Sequence, residues 1–419
     1  MTKELGLKLM VQYIECAASL KDGKEPYPTS LRILNWTKFV CVNTIQDESI
    51  DDFIHEDAHR LMDNLEYHLL ANHLLENGFA LLFAGVYLQQ EKLFNKGRDI
   101  LLDQLEEQIL PDGAHFELSP MYHQLMLFRV LDAIQLLKAS SLESPVGELL
   151  RSLETKGSMM LGWLNSVSFK NGTIPLVNDS ARGINPTTSE LNFYATELGI
   201  EGVKLILNES GYRKFSGSQF EMLIDVGDIK PRYQPGHSHA DTFSYILNLE
   251  GKPYIVEAGT ATYDFNERRS YERGTSAHNT VSVNNSNSSN VWSSFRVAQR
   301  AHVYNFNEES NSISATHDGF GNIKHSRRWE VEEGRILIQD KLNKKVENAI
   351  SYIHLHPNVE IIECLENRVV TTFGKIELSG HNRLELDAYG YAEEFNKVQE
   401  AKVLKIHFSA SVQTTIYFN

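Results

Sequence analysis

Apolar residues recur every three or four positions through the first half of the chain and at alternate positions through much of the second. Residues 65–88, LEYHLLANHLLENGFALLFAGVYL, are rich in Leu and Ala and contain no Pro, so the spacing predicts a helix there. Residues 92–108 and 122–138 repeat the pattern, with Pro111-Asp112-Gly113 as a breaker between them. Further helices are predicted over 146–167 and 189–198. Several helices joined by loops must bury their apolar stripes against one another, which predicts helix-on-helix packing.

From about Gln219 the period falls to two, and Val, Ile, Thr and Tyr become frequent. Residues 245–249 and 253–257 flank Glu250-Gly251-Lys252 and predict a hairpin. More strands are predicted over 335–339, 369–373, 375–378, 403–408 and 414–419. Many short strands at hairpin spacing predict an antiparallel sandwich. The change of period puts a boundary near residue 210, in Asn208-Glu209-Ser210-Gly211, with a helical part over 1–210 and a β part over 211–419. NNSNSSN, 284–290, is a polar loop within the β part.

At 419 residues the chain is too long for one ordinary core. With 40 Lys and Arg against 55 Asp and Glu, the net charge is -15. That balance is poor for nucleic acid, where binding rests on clustered basic side chains. The three cysteines form no CxxC pair, so neither a thiolate zinc site nor a disulfide framework is expected. Gln12, Glu15 and Cys16 interrupt the N-terminal apolar positions, and no signal peptide is read there. No run reaches about 18 apolar residues, so no transmembrane helix is expected.

Three polar groups stand out from this background. At about 100° per residue, His68, Asn72, His73 and Glu76 fall within an arc of roughly 140° on the first long helix. Ser119-Pro120 reads as an N-cap followed by Pro at the first helical position, leaving Tyr122 and His123 in the first turn. On an extended backbone His237, His239 and Asp241 would point to one side. Glu257 and His278 follow, and His and carboxylate groups on neighbouring strands suit zinc with N and O ligands.

The stretch RYQPGHSHADTFSYILNLEGKPYIVEAGTATYDFNERRSYERGTSAHNTVSVNN, from Arg232 to Asn285, resembles the C-terminal domain of heparinase II/III-like polysaccharide lyases. Upstream, LANHLLENGFALLFAG and PDGAHFELSPMYHQLML resemble the helical domain of the same bacterial family. The resemblance runs from about residue 28 onward. It implies an α+β protein, an incomplete α/α toroid followed by an antiparallel β-sandwich. The chain starts close to YPTSLRILNW, 27–36, which resembles the interior of the helical domain, so fewer early helices are expected than in typical members.

The chemistry the resemblance implies is β-elimination on an acidic, uronate-containing polysaccharide, without an organic cofactor. A base takes the C5 proton and an acid protonates the departing glycosidic oxygen. Matching motifs assign Asn72, His73, Glu76, Tyr122 and His237 to the active site. Asn72, His73 and Glu76 would neutralise the uronate carboxylate, Tyr122 would act at the glycosidic oxygen, and His237 would serve as base from the opposite side of the sugar. His239, Glu257 and His278 carry over as a structural zinc site, Glu257 standing where the family often has Asp. Arg269 and Arg273, in RRSYERG, suit binding of carboxylate or sulfate through their planar forks, the alternative being surface pairing with acidic residues. The family implies a periplasmic, envelope or secreted location. Two other readings belong to different classes: a catalytically silent glycan-binding or assembly protein of a surface-polysaccharide system, and a metal-dependent hydrolase using the His and Glu cluster to activate water.

Overall fold

Helices fill the first half of the chain and antiparallel strands the second in the computed structural model, which describes residues 2–140 and 146–418. The helices are Lys3–Ala17, Pro26–Asn43, Glu48–Asp63, Ala71–Tyr87, Glu91–Gln108, Pro120–Ala139, Val146–Val167 and Thr188–Glu197, with a short Glu267–Arg273 helix in the β region. The described residues form two compact units. One is drawn from Met1–Ile109, Met126–Ser158 and Tyr194–Glu201, and the other from Leu110–Leu125, Met159–Phe193 and Gly202–Asn419.

In the first unit, the helix Ala71–Tyr87 is buried nearly all round, as a helix apolar on every face requires. It packs on Pro26–Asn43 and Glu91–Gln108. A Cβ on Gly97 would come within 2.8 Å of the Gly78 carbonyl oxygen, so glycine is what lets the two backbones approach. This helix is shorter than the predicted 65–88. Leu70 and Ala71 have φ of 60° and 52°, which breaks the helical path. Residues 66–70 instead make a turn, with Leu70 N donating to Glu66 O at 2.8 Å. His68 therefore lies outside the helix, in the exposed part of that turn.

In the second unit, strands Tyr212–Ser216, Phe220–Asp225, Tyr245–Leu249 and Lys252–Ile255 form a sheet in that order, beginning ahead of the change of period at Gln219. The hairpin turn is the pair Glu250-Gly251, with φ of 51° and 73°, between paired Leu249 and Lys252. A larger sheet runs in the order Ile361–Leu365, Arg368–Thr371, Gly374–Ser379, Ser411–Phe418, Arg335–Leu342, Ile323–Glu332, Ser312–Phe320 and Val303–Glu308. A third has the order Arg383–Glu394, Lys397–Phe408, Ala349–His354 and Val281–Val283. All the named strand pairs are antiparallel. Leu247, Trp329, Ile338, Ile353 and Leu404 from these three sheets share one buried core.

A charged cluster is buried among the same strands. Arg327 and Asp340 are register partners on neighbouring strands. Arg327 Nε donates to Asp340 Oδ1 at 2.6 Å and Nη2 to Oδ2 at 2.9 Å, while Nη1 donates to Phe243 O and Asn279 O. Burial opposes ionisation of Asp340, but Arg327 and a hydrogen bond from His325 hold its carboxyl well below the usual range.

The predicted breaker is a turn that ties segments of the second unit together. Asp112 Oδ2 accepts from Asn208 N at 3.0 Å, Ser210 N at 2.8 Å and Ser210 Oγ at 2.7 Å. Trp163, Val177 and Leu118 pack with Tyr212, Leu223 and Ile246 of the first sheet. This packing brings the segments around 119 and 179 to the loop at 237.

Candidate active site

Tyr122 lies in the first turn of Pro120–Ala139, and Ser119 caps it as the sequence predicts. Ser119 Oγ accepts from Tyr122 N at 3.2 Å and donates to Asp179 O at 2.7 Å. The loop around Asp179 is held on both sides. Asn178 Nδ2 donates to Leu118 O at 3.0 Å, Asn178 Oδ1 accepts from His239 N at 3.0 Å, and Asp179 N donates to His237 O at 3.1 Å.

The side chains then converge. The Tyr122 and His237 rings stack with centroids 4.0 Å apart, and the Tyr122 hydroxyl is 3.3 Å from that of Tyr263. Phe295 meets His237 and Tyr263 edge-on. Beneath them Asp179, 0% exposed, is 3.0 Å from His237 Nδ1 through Oδ2 and 2.9 Å from His239 Nε2 through Oδ1. Arg269 grips both carboxylate oxygens, its Nη2 at 2.7 Å from Oδ2, and lies 5.0 Å from the Tyr263 ring centroid. Burial resists a charge on Asp179, but Arg269 and the hydrogen bonds from the two imidazoles hold its carboxyl well below the usual range. Burial raises the Tyr122 phenol and the Asp179 charge adds to the rise, against the Tyr263 hydrogen bond. Tyr122 is therefore a protonated phenol at neutral pH.

Beyond His239 lies a second buried group. Asp241, Glu257 and His278 each offer a ligand atom, and these atoms lie within 4.8 Å of one another. His278 Nδ1 bonds Glu257, while His278 Nε2 and His239 Nδ1 are buried without a hydrogen-bond partner among the described residues. The two rings are 5.3 Å apart. Burial pushes Asp241 up to about 7, Glu257 adding to the shift and His278 opposing it. Orphaned imidazole nitrogens beside crowded buried carboxylates fit a bound cation, and the N and O donor set fits zinc.

In the helical unit, Glu66 gathers the polar residues. Its Oε1 is 3.0 Å from His73 Nδ1, its Oε2 accepts from Asn77 Nδ2 at 2.9 Å, and its backbone N donates to Asn77 Oδ1 at 2.9 Å. The His73 side chain is 37% exposed and packs on Tyr27. Asn72 is buried. Glu76 is fully buried, and its Oε1 and Oε2 accept from Arg129 Nε at 2.9 and 3.0 Å.

Several expectations change on this geometry. His237, His239 and Asp241 are in a loop rather than a strand. The two histidines meet Asp179, while Asp241 joins Glu257 and His278. Asp241 thus comes beside Glu257 and His278 of the expected metal set, and its third member, His239, meets Asp179 through Nε2 while its ring lies 5.3 Å from that of His278. Glu76 does not share an open face with His73, because its carboxylate is paired inside the helical unit. Arg269 and Arg273, expected to bind substrate, are 0% and 1% exposed. Arg269 holds Asp179 and Ser294 O, and Arg273 Nη2 donates to Ser238 O, between the two histidines. His237 does not face Tyr122 across a sugar, because the two rings are in contact. Asp179, Tyr263 and Glu66 escaped the sequence reading. For Asp179 the one local signal is Asn178-Asp179-Ser180 after an apolar run, which reads as turn chemistry.

The descriptions Heparinase II/III N-terminus and Heparinase II/III-like, C-terminal match residues 29–196 and 206–418. The chain belongs to the heparinase II/III family. A heparin-sulfate lyase of Pedobacter heparinus is 24% identical over 354 residues, covering 75% of this chain and 51% of that protein. A heparin-sulfate lyase of Bacteroides stercoris is 23% identical over 335 residues, covering 73% and 49%. The chain thus spans about half the length of these curated relatives. The crystal structure of heparinase III superposes with a TM-score of 0.82 at 16% identity, over 100% of this chain and 74% of that one. Chondroitin AC lyase of Streptomyces coelicolor A3 superposes at 0.52 and 8% identity, over 92% and 66%. At these identities the likeness establishes the fold: an incomplete α/α toroid followed by an antiparallel β-sandwich. Among the described residues no helix is long and apolar enough to cross a membrane.

Proposed function

We propose that the protein is a polysaccharide lyase that cleaves an acidic, uronate-containing glycan by β-elimination. The observation that carries this reading is the stack of Tyr122 on His237 above the buried Asp179. In the proposed step His237 Nε2 takes the C5 proton. The electrons of that C–H bond form the C4=C5 double bond, the C4–O bond breaks, and the departing glycosidic oxygen takes the Tyr122 proton. The imidazolium then returns its proton to the phenolate, so no water is consumed. The C5 proton becomes acidic only when the neighbouring carboxylate is neutralised. The family resemblance assigns that task to Asn72, His73 and Glu76, and the pairing of Glu76 with Arg129 leaves it, in this proposal, to Asn72 and His73.

Two proton-transfer groups in contact approach a sugar from one side. That favours uronates whose C5–H and C4–O bonds lie on the same face, as in glucuronate. The heparin-sulfate lyases among the relatives support a glycosaminoglycan-like substrate. Asp241, Glu257 and His278, with His239 at the edge, would hold a zinc ion whose part is to brace the loops behind the histidines. All four are buried, which disfavours the hydrolase reading, since a catalytic zinc keeps a position open to water and substrate. The test is incubation with a panel of uronate polysaccharides. New ultraviolet absorbance from an unsaturated uronate supports the proposal, and new reducing ends without that absorbance refute it.

A further inference from the structure

The geometry points to Asp179 as a positioning residue that sets His237 and His239 in opposite tautomers, leaving His237 Nε2 as the free lone pair. The role for His237 rests on the lyase reading above. An ionised carboxylate only accepts hydrogen bonds, so each ring nitrogen that meets Asp179 must carry the proton. His237 meets Oδ2 through Nδ1 at 3.0 Å, and His239 meets Oδ1 through Nε2 at 2.9 Å. His237 is thereby protonated on Nδ1 and bare on Nε2, and His239 the reverse. Bare Nε2 is the form a base needs, and the His237 side chain, 14% exposed, has an edge open to solvent. His239 Nδ1, the nitrogen this assignment leaves bare, is buried without a hydrogen-bond partner among the described residues.

Asp179 is itself well fixed. Arg269 clamps both oxygens, Ser119 Oγ donates to its carbonyl, and its N–H donates to His237 O. Since Ser119 also caps the helix that bears Tyr122, one residue registers both proton-transfer groups.

The test is nitrogen-15 NMR of the full chain labelled at histidine, at about pH 9, where an ordinary imidazole is neutral. The spectrum of His237→Gln identifies the His237 signals. The expected result is a protonated Nδ1 and a bare Nε2, and the reverse pattern overturns the assignment. In Asp179→Asn an amide N–H can donate to Nδ1 and turn His237 over. Where such a swap behind a catalytic histidine has been measured, kcat fell about 10⁴-fold. A folded Asp179→Asn should therefore lose about 10²–10⁴ in kcat, with KM changed by less than threefold. Parent-like kcat in that folded variant overturns the proposal. If Asp179→Asn does not fold, the parent spectrum decides. If the parent cleaves no uronate, the lyase reading falls, and the same spectrum still decides the tautomers.

Discussion

Tyr122 stacks on His237 with ring planes inclined by 31°. The two residues are 115 positions apart, 122 against 237. Their contact is made by an N-capped first turn on one side and a loop pinned to Asp179 on the other. A buried, protonated phenol and a carboxylate-oriented imidazole held in one cluster would supply the donor and the acceptor of the proposed elimination.

Tyr122→Phe should fold as the parent does and lose about 10²–10⁴ in turnover. The substitution removes one hydroxyl and keeps the ring that stacks on His237. Circular dichroism checks the fold, and product absorbance checks the rate. A Phe variant that cleaves at the parent rate would make Tyr122 structural.

Arg129→Met should destabilise the protein by about 3–5 kcal/mol, because it strands a buried carboxylate on Glu76. Burial already raises the Glu76 carboxyl, with Arg129 opposing the shift. The double variant Glu76→Gln, Arg129→Met should recover most of the loss. Urea unfolding measures both. A stable but inactive Glu76→Gln would return Glu76 to the active-site set.

Asp340→Asn should cost about 3–5 kcal/mol near neutral pH, since it leaves Arg327 buried without its counter-charge. Asp340 is held below the usual carboxylate range, so its contribution is complete above the unfolded value of about 3.9. It is lost as pH falls through the lower folded value. The stability gap between parent and variant should therefore narrow below about pH 4. A gap that widens there would mean the pair is not ionised in the fold.

Protein purified without chelator should contain stoichiometric metal. Chelation should lower its melting temperature, and Glu257→Ala or His278→Ala should remove both the metal and the chelator's effect. Elemental analysis and thermal melts are sufficient. Metal-free parent protein of unchanged stability would leave Asp241, Glu257 and His278 as a hydrogen-bonded cluster alone.

Much of the architecture could be read from local pattern. The helices over 92–108, 122–138 and 146–167 fall within two residues of the observed ends, because long apolar periodicity dominates there. The error at 65–70 arose because Leu65, Leu69 and Leu70 keep the helical spacing while Leu70 takes a positive φ. The site was legible only in part. Tyr122 and His237 could be singled out by cap chemistry and motif, but Asp179 is 58 residues from His237 and 90 from Arg269. Only the packed fold brings them together. Arg269 and Arg273 look like exposed cations in ERRSYER, because charged side chains are rarely buried unless paired. The buried partners that take them inside are not visible in the local sequence.

Proton transfer by His237 and Tyr122 leaves a signature in the products. Glucuronate-rich and iduronate-rich polysaccharides are incubated with the parent and with Tyr122→Phe while absorbance of the unsaturated uronate and total reducing ends are followed together. Both signals should rise in equal amounts with the parent, preferentially on the glucuronate-rich chain, and both should nearly vanish with Tyr122→Phe. Reducing ends that appear without the chromophore, or binding with neither signal across the panel, would contradict the proposed elimination.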